Sequence, residues 1–166
     1  MDAYLDIETT GLSAGPDSIT VVGIFLVDEL ETRVVQLVGS DITEDNLLAA
    51  LSGVDTVYTY NGSRFDLPFI QSVLGTNIEA LFDHRDLMYD CWSCNLKGGL
   101  KRVEVMLNIS RELQGLNGLD AVLLWQRYVN HNDKHALDTL LHYNKEDVVN
   151  LKTLREKLED IAWDRF

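Results

Sequence analysis

Three strand-like apolar runs fill the first 38 residues, and nearly everything beyond residue 60 carries helical spacing. A chain ordered this way has few folds open to it. AYLDI is short, SITVVGIFLV is longer and rich in β-branched residues, and ETRVVQLV alternates, with Val34, Gln36 and Val38 on one face and Val35 and Leu37 on the other. The short polar Asp28-Glu29 segment fits a hairpin connection, while Gly11 and SAGPD mark a loop after the first run. Thr43, as a helix cap ahead of Asn46 and LLAAL, predicts two to three helical turns ending near Gly53. DTVYTY then reads as a fourth strand, and NGSRFDLPFIQSVLG leads into a helix stopping at Gly75. Apolar residues recur at helical spacing from Leu119 to Val129 and from Ala136 to Leu158, with NGLD and NHND read as turns. A fifth strand is expected near Leu81. A hairpin-connected meander followed by β-α alternation predicts one α/β domain over residues 1–166, a mixed central sheet flanked by helices.

Composition narrows the setting. The 166 residues suit one domain, and 46% hydrophobic content supplies a core. No run approaches the roughly 18 apolar residues of a membrane span. MDAYLDIETT lacks the basic-then-apolar layout of a secretion signal, so a cytoplasmic protein without membrane association is expected. Cys91 and Cys94 form one C-x-x-C, too few ligands for a tetrahedral zinc site, and are read as reduced structural thiols. The charge is the awkward fact: 14 basic residues face 27 acidic ones, a net −13. Broad phosphate neutralisation is thereby excluded, and any contact with nucleic acid must be local and metal-centred.

The candidate chemistry is acidic. Asp6 and Glu8 are separated by one residue inside the first strand, so both carboxylates project from the same face. Asp66 lies just past the fourth strand at a helix entry, where an acid also serves as a cap. Tyr143 and Asp147, four apart, share one face of the last helix. Hard cations such as Mg²⁺ and Mn²⁺ prefer such oxygen ligands. Two of them, about 3.5–4 Å apart, clamp the attacking and leaving oxygens of a phosphodiester displacement.

Taken together these segments resemble a known family. YLDIETTGL is similar to the first motif of the DEDD 3′–5′ exonucleases, the DnaQ-like branch of the ribonuclease H-like fold. YNGSRFDLPFI resembles the second motif, N-x-x-x-F-D, of family B DNA polymerase proofreading domains, and YNKEDVVNL resembles the Y-x-x-x-D motif of the DEDDy subgroup. Within that group the chain resembles YprB-type predicted exonucleases. The resemblance implies that Asp6, Glu8, Asp66 and Asp147 hold two divalent cations, Mg²⁺ or Mn²⁺, and that Tyr143 orients or helps deprotonate the attacking water. It implies that Thr9, Thr10 and Leu12 contact the 3′-terminal nucleotide, with Asn61 and Phe65 beside the strand.

The expected activity is therefore hydrolysis of single-stranded DNA or RNA from 3′ ends, releasing nucleoside 5′-monophosphates. An endonuclease of the same fold, or a catalytically idle nucleic-acid or protein-binding module, is the alternative. Lys97, Lys101 and Arg102 in NLKGGLKRV could touch phosphates, or form a solvated helix start. Trp92, Trp125 and Trp163 are read as core or interface residues rather than base-stacking platforms, and His84, His131, His135 and His142 as structural or surface residues. With no separate binding domain in view, targeting is expected from an accessory protein or from self-association.

Overall fold

The structure, a computed structural model, describes residues 1–163, so the last three residues of the expected 1–166 domain lie outside it. Strands β1 (Asp2–Thr9), β2 (Ile19–Val27) and β3 (Thr32–Val38) form the expected meander, turning at residues 28–31. A short 3-10 turn, Gly39–Asp41, leads to α1 (Glu44–Ala50), whose first turn is capped by Thr43, its hydroxyl accepting from the Asn46 N–H at 3.2 Å. Strand β4 (Thr56–Thr59) follows, then α2 (Asp66–Leu74), α3 (Ile78–Leu81), β5 (Asp83–Asp86), α4 (Leu87–Ser93), α5 (Leu100–Met106), α6 (Gly118–His131) and α7 (Lys134–Trp163). Helix α2 stops at Gly75, which takes the left-handed conformation that favours glycine.

The sheet order is β3-β2-β1-β4-β5, antiparallel through β1, β2 and β3 and parallel through β1, β4 and β5. The mixed α/β sheet read from the sequence is thus the observed architecture. The strand period of two then sorts the core. Ala3, Leu5 and Ile7 of β1 pack with Leu47, Leu67 and Ile70 of α1 and α2 on one face. Tyr4 points the other way, into Phe25, Leu87, Cys91, Val103, Val148 and Leu151. Asp6 and Glu8 share that second face, beneath α7. The 30 residues of α7 span roughly 45 Å at 1.5 Å per residue, and its buried stripe includes Leu140, Tyr143, Asp147, Val148, Leu151 and Leu154. Arg155 anchors it, donating to Asp2 at 2.5 Å and to the Tyr4 hydroxyl at 3.1 Å while lying over the Tyr58 ring.

One reading is corrected and a second is narrowed. NGLD is no free turn: Asn117 caps α6 by accepting from the Leu119 and Asp120 N–H groups, and Asp120 accepts from the Asn117 N–H in return. That reciprocal box makes Gly118 the first helical residue. Of the tryptophans, Trp125 packs against the small cluster around Leu140, but Trp92 and Trp163 are exposed. No helix among the described residues is long and apolar enough to cross a membrane.

Candidate active site

Strand β1 ends in an irregularity between Glu8 and Thr9, where the register with β2 shifts. Bulges of this kind re-aim side chains at strand ends. Here the even-numbered face carries Asp6 and Glu8 toward α7, which contributes Asp147, and carboxylate oxygens of all three lie within 4.8 Å of one another. Asp66 enters from the first turn of α2, accepting the Ile7 N–H at 3.0 Å through Oδ1. Tyr143, one turn before Asp147, lines the same cleft of about 460 Å³, with Thr9, Thr10, Leu12, Asn61 and Phe65 along its walls. All five sequence-predicted catalytic residues are therefore in one place. Leu12 is 85% exposed at the rim, and the apolar Leu119 and Val122 of α6 also line the cleft.

Crowded acids resist ionisation. Burial, then the charges of Asp147, Glu8 and Asp66, raise Asp6 well above the ordinary carboxylate range. Glu8 is pushed up to about 8, by burial first and the Asp147 charge second, with Lys101 opposing. Asp66 rises to about 7, again through burial, moderated by the Ile7 N–H that favours its charged form. Burial and the Asp147 charge carry the Tyr143 phenol up to about 12, so it is neutral near pH 7.

Two cations answer the acids. Lys101 Nζ donates to both oxygens of Asp147 at 2.6 Å and sits 4.6 Å from the Tyr143 ring centre. Burial alone would pull its pKa down, but electrostatic interaction with Asp147 first, then Tyr143 and Asp6, leaves it raised. Arg111 donates to Asp147 at 2.5 Å through Nη2 and to both oxygens of buried Glu104 at 3.1 Å through Nη1, and Asn150 donates to Glu104 at 3.0 Å. The expected phosphate-contacting trio is thus split. Lys101 is committed to Asp147 inside the cleft, Arg102 lies exposed on an adjoining wall, and exposed Lys97 precedes it in the chain.

Several contributors escaped the sequence reading. Asn144 donates to Asp6 at 3.2 Å from α7, and can come so close because Gly23, paired with Asp6 in the β1–β2 ladder, has no side chain. A Cβ at Gly23 would collide with the Asn144 amide. The one signal was a glycine inside a β-branched run. Asp86, buried as the last residue of β5, accepts from the Asn61 N–H at 2.7 Å and the Ser63 N–H at 3.1 Å, fixing the loop that delivers Asp66. Asn61 itself takes positive φ there, a conformation asparagine tolerates better than most residues. Arg111 and Glu104 gave no local signal. Cys91 is buried and Cys94 half-buried, both as free thiols. His84 meets Thr59 at 2.9 Å and Glu79 at 3.4 Å, His142 meets Glu112 at 3.1 Å, and none belongs to the acidic cluster.

The donor set suits hard divalent cations. It consists of carboxylate oxygens without thiolate or imidazole, and Glu8 Oε1 is buried with no hydrogen-bond partner among the described residues. An unsatisfied buried carboxylate oxygen beside two further acids costs free energy that a cation would remove.

Comparison with known proteins agrees with this architecture. The model for the RNase_H superfamily matches residues 3–159. The uncharacterized protein YprB of Bacillus subtilis (strain 168) is 25% identical over 91% of this chain, which spans 40% of that relative's length. Brucella melitensis NrnC with bound Mg²⁺ superposes at a TM-score of 0.63 with 20% identity, over 99% of this chain and 74% of that one. The same protein bound to pGG gives 0.65 and 21%, with the same coverage. The family B DNA polymerase of the hyperthermophilic archaeon Pyrobaculum calidifontis gives 0.69 with 18% identity, over 95% of this chain and 24% of the polymerase. A match running through both β1 and α7, the elements that bring Asp6, Glu8 and Asp147 together, makes this chain a member of the RNase H superfamily.

Proposed function

We propose that this protein is a cytoplasmic, metal-dependent 3′–5′ exonuclease of the DEDDy type, hydrolysing single-stranded nucleic acid to nucleoside 5′-monophosphates. One observation carries the reading. Four carboxylates from three separate elements converge on a cleft with a tyrosine one turn before the last of them. Asp6, Glu8, Asp66 and Asp147 would hold two divalent cations, Mg²⁺ or Mn²⁺. Such cations supply charge at the phosphate and acidify water. The likeness to NrnC, solved with Mg²⁺ and with pGG, supports both the cofactor and the substrate class.

The chain's own groups do the rest. Tyr143, neutral near pH 7, orients the attacking water through its hydroxyl rather than removing its proton. Lys101 adds positive charge beside the scissile phosphate. Thr9 and Thr10 hold the terminal nucleotide along the β1 end, exposed Leu12 wedges against its base, and Asn61 and Phe65 flank the strand. The whole of residues 1–166 acts as one catalytic domain.

The decisive experiment is the polarity of attack. A 5′-labelled single strand of DNA or RNA, incubated with Mg²⁺ or Mn²⁺, should shorten one nucleotide at a time. EDTA and a 3′-phosphate should each stop it. Degradation of a circular single strand as fast as the linear one would overturn the exonuclease and favour an endonuclease on the same site.

A further inference from the structure

Strands β1, β4 and β5 are parallel, so their carboxyl ends lie along one edge of the sheet. Asp6 and Glu8 occupy the β1 end, and Asp66 opens α2 just past the loop that follows β4. In an open sheet of this kind ligands gather outside such ends, and the next position outward is the start of α4, directly after β5.

That helix is unusual. Met88 lines a second cavity that adjoins the cleft and shares Asp6, Lys101, Tyr143 and Asp147 with it, and Trp92, one turn on along the same face, is 39% exposed. Tyr89, 42% exposed, meets the Trp92 ring edge-on with centroids 5.4 Å apart. The guanidinium of Arg64, three residues beyond Asn61, lies 5.5 Å from the Trp92 ring and 5.8 Å from that of Tyr89. Arg64 is exposed and has no carboxylate partner among the described residues, in a chain where acids outnumber bases 27 to 14. Exposed Arg102, likewise without an ion-pair partner among the described residues, lies on the wall that holds Met88.

A hydrophobic core does not need this trio, since Leu87 and Cys91 already supply the buried face of α4. An acidic protein partner would suit Arg64 but gains little from two part-exposed rings. Two part-exposed aromatic rings, with a guanidinium over them that has no carboxylate partner among the described residues, fit a strand of bases and phosphates.

Resting on the nuclease reading above, we infer that Arg64, Tyr89 and Trp92 form a platform for the single-stranded nucleic acid upstream of the cleaved end. Bases leaving the cleft past Asn61 stack on the Trp92 and Tyr89 rings, and Arg64 contacts a phosphate between them. None of the three residues lines the cleft at the acids, so the platform makes affinity depend on strand length. It also gives a single-strand preference, because paired bases present no free face.

The test is binding of fluorescein-labelled single strands of two and twelve nucleotides, in Ca²⁺ and with strand integrity checked on a gel. The longer strand should bind more tightly. Trp92→Ala should weaken the twelve-nucleotide complex about tenfold, from the loss of one stacked base, and shift affinity for the dinucleotide far less. Arg64→Gln should lower the slope of log affinity against log salt by about 0.7, one phosphate contact on a single strand. Trp163→Ala, an exposed tryptophan at the end of α7, should change neither quantity. Equal affinity for both lengths, or a twelve-nucleotide complex indifferent to both Trp92→Ala and Arg64→Gln, would overturn the platform. Cleavage in Mg²⁺ is scored separately on the unsubstituted protein, so loss of the platform and loss of the nuclease reading give different patterns.

Discussion

Replacing Glu8 by glutamine should make the metal-free protein more stable, and only at neutral to alkaline pH. The side chain is buried, its Oε1 has no partner among the described residues, and it sits among Asp6 and Asp147. Folding lifts its pKa from the ordinary 4.5 to about 8. A raised carboxyl binds its proton more tightly in the folded than in the unfolded chain. Folding therefore carries no penalty from this group below pH 4.5, and a growing one as pH rises toward 8. At 1.36 kcal/mol per unit the ceiling is roughly 4–5 kcal/mol. Neighbouring acids share that penalty, and a single substitution should recover on the order of 2 kcal/mol. For a chain of this size that is about 4–8 °C in Tm. Thermal unfolding in EDTA at pH 5 and pH 8 reads the effect directly. Glu8→Gln should raise Tm at pH 8 and change it little at pH 5. Saturating Mg²⁺ should stabilise the unsubstituted protein at pH 8 and the variant much less. Equal Tm for the two proteins at pH 8 in EDTA would refute the claim that this site is strained by its own charge.

Asp147→Ala should behave in the opposite sense. It takes from Lys101 its ion-pair partner and leaves buried Arg111 with Glu104 and Glu146 only, so it should lower stability by about 3 kcal/mol in chemical denaturation while reducing cleavage at least a hundredfold. Tyr143→Phe should slow turnover tenfold or more with cation affinity unchanged by calorimetry. Unaltered turnover would reduce Tyr143 to packing. Gly23→Ala should destabilise by about 1–3 kcal/mol by forcing the Asn144 amide off Asp6, and the second substitution Asn144→Ala should restore most of that loss in urea unfolding.

Much of the site was legible because it is built from local periods. The strand repeat of two puts Asp6 and Glu8 on one face, and the helix repeat puts Tyr143 and Asp147 on one face. Thr43 and Gly75 marked helix ends through chemistry that needs only nearby backbone. NGLD misled because asparagine and glycine serve a turn and a helix cap equally well, and the returning bond from Asp120 decides between them. The exposure of Trp92 was equally hidden, because burial depends on which face of α4 meets the sheet.

The sequence by itself determined the order of elements, the mixed sheet, and which acids could meet. Tertiary structure alone decided how those acids are tolerated. Lys101 reaches Asp147 across 46 residues, Arg111 reaches it across 36, Asn144 reaches Asp6 across 138, and Asp86 holds the Asn61 loop across 25. No local period encodes such pairings. Each forms where the packing of helices and loops around the sheet brings opposite charges or hydrogen-bonding groups together. A buried charge must find its partner wherever the fold delivers one.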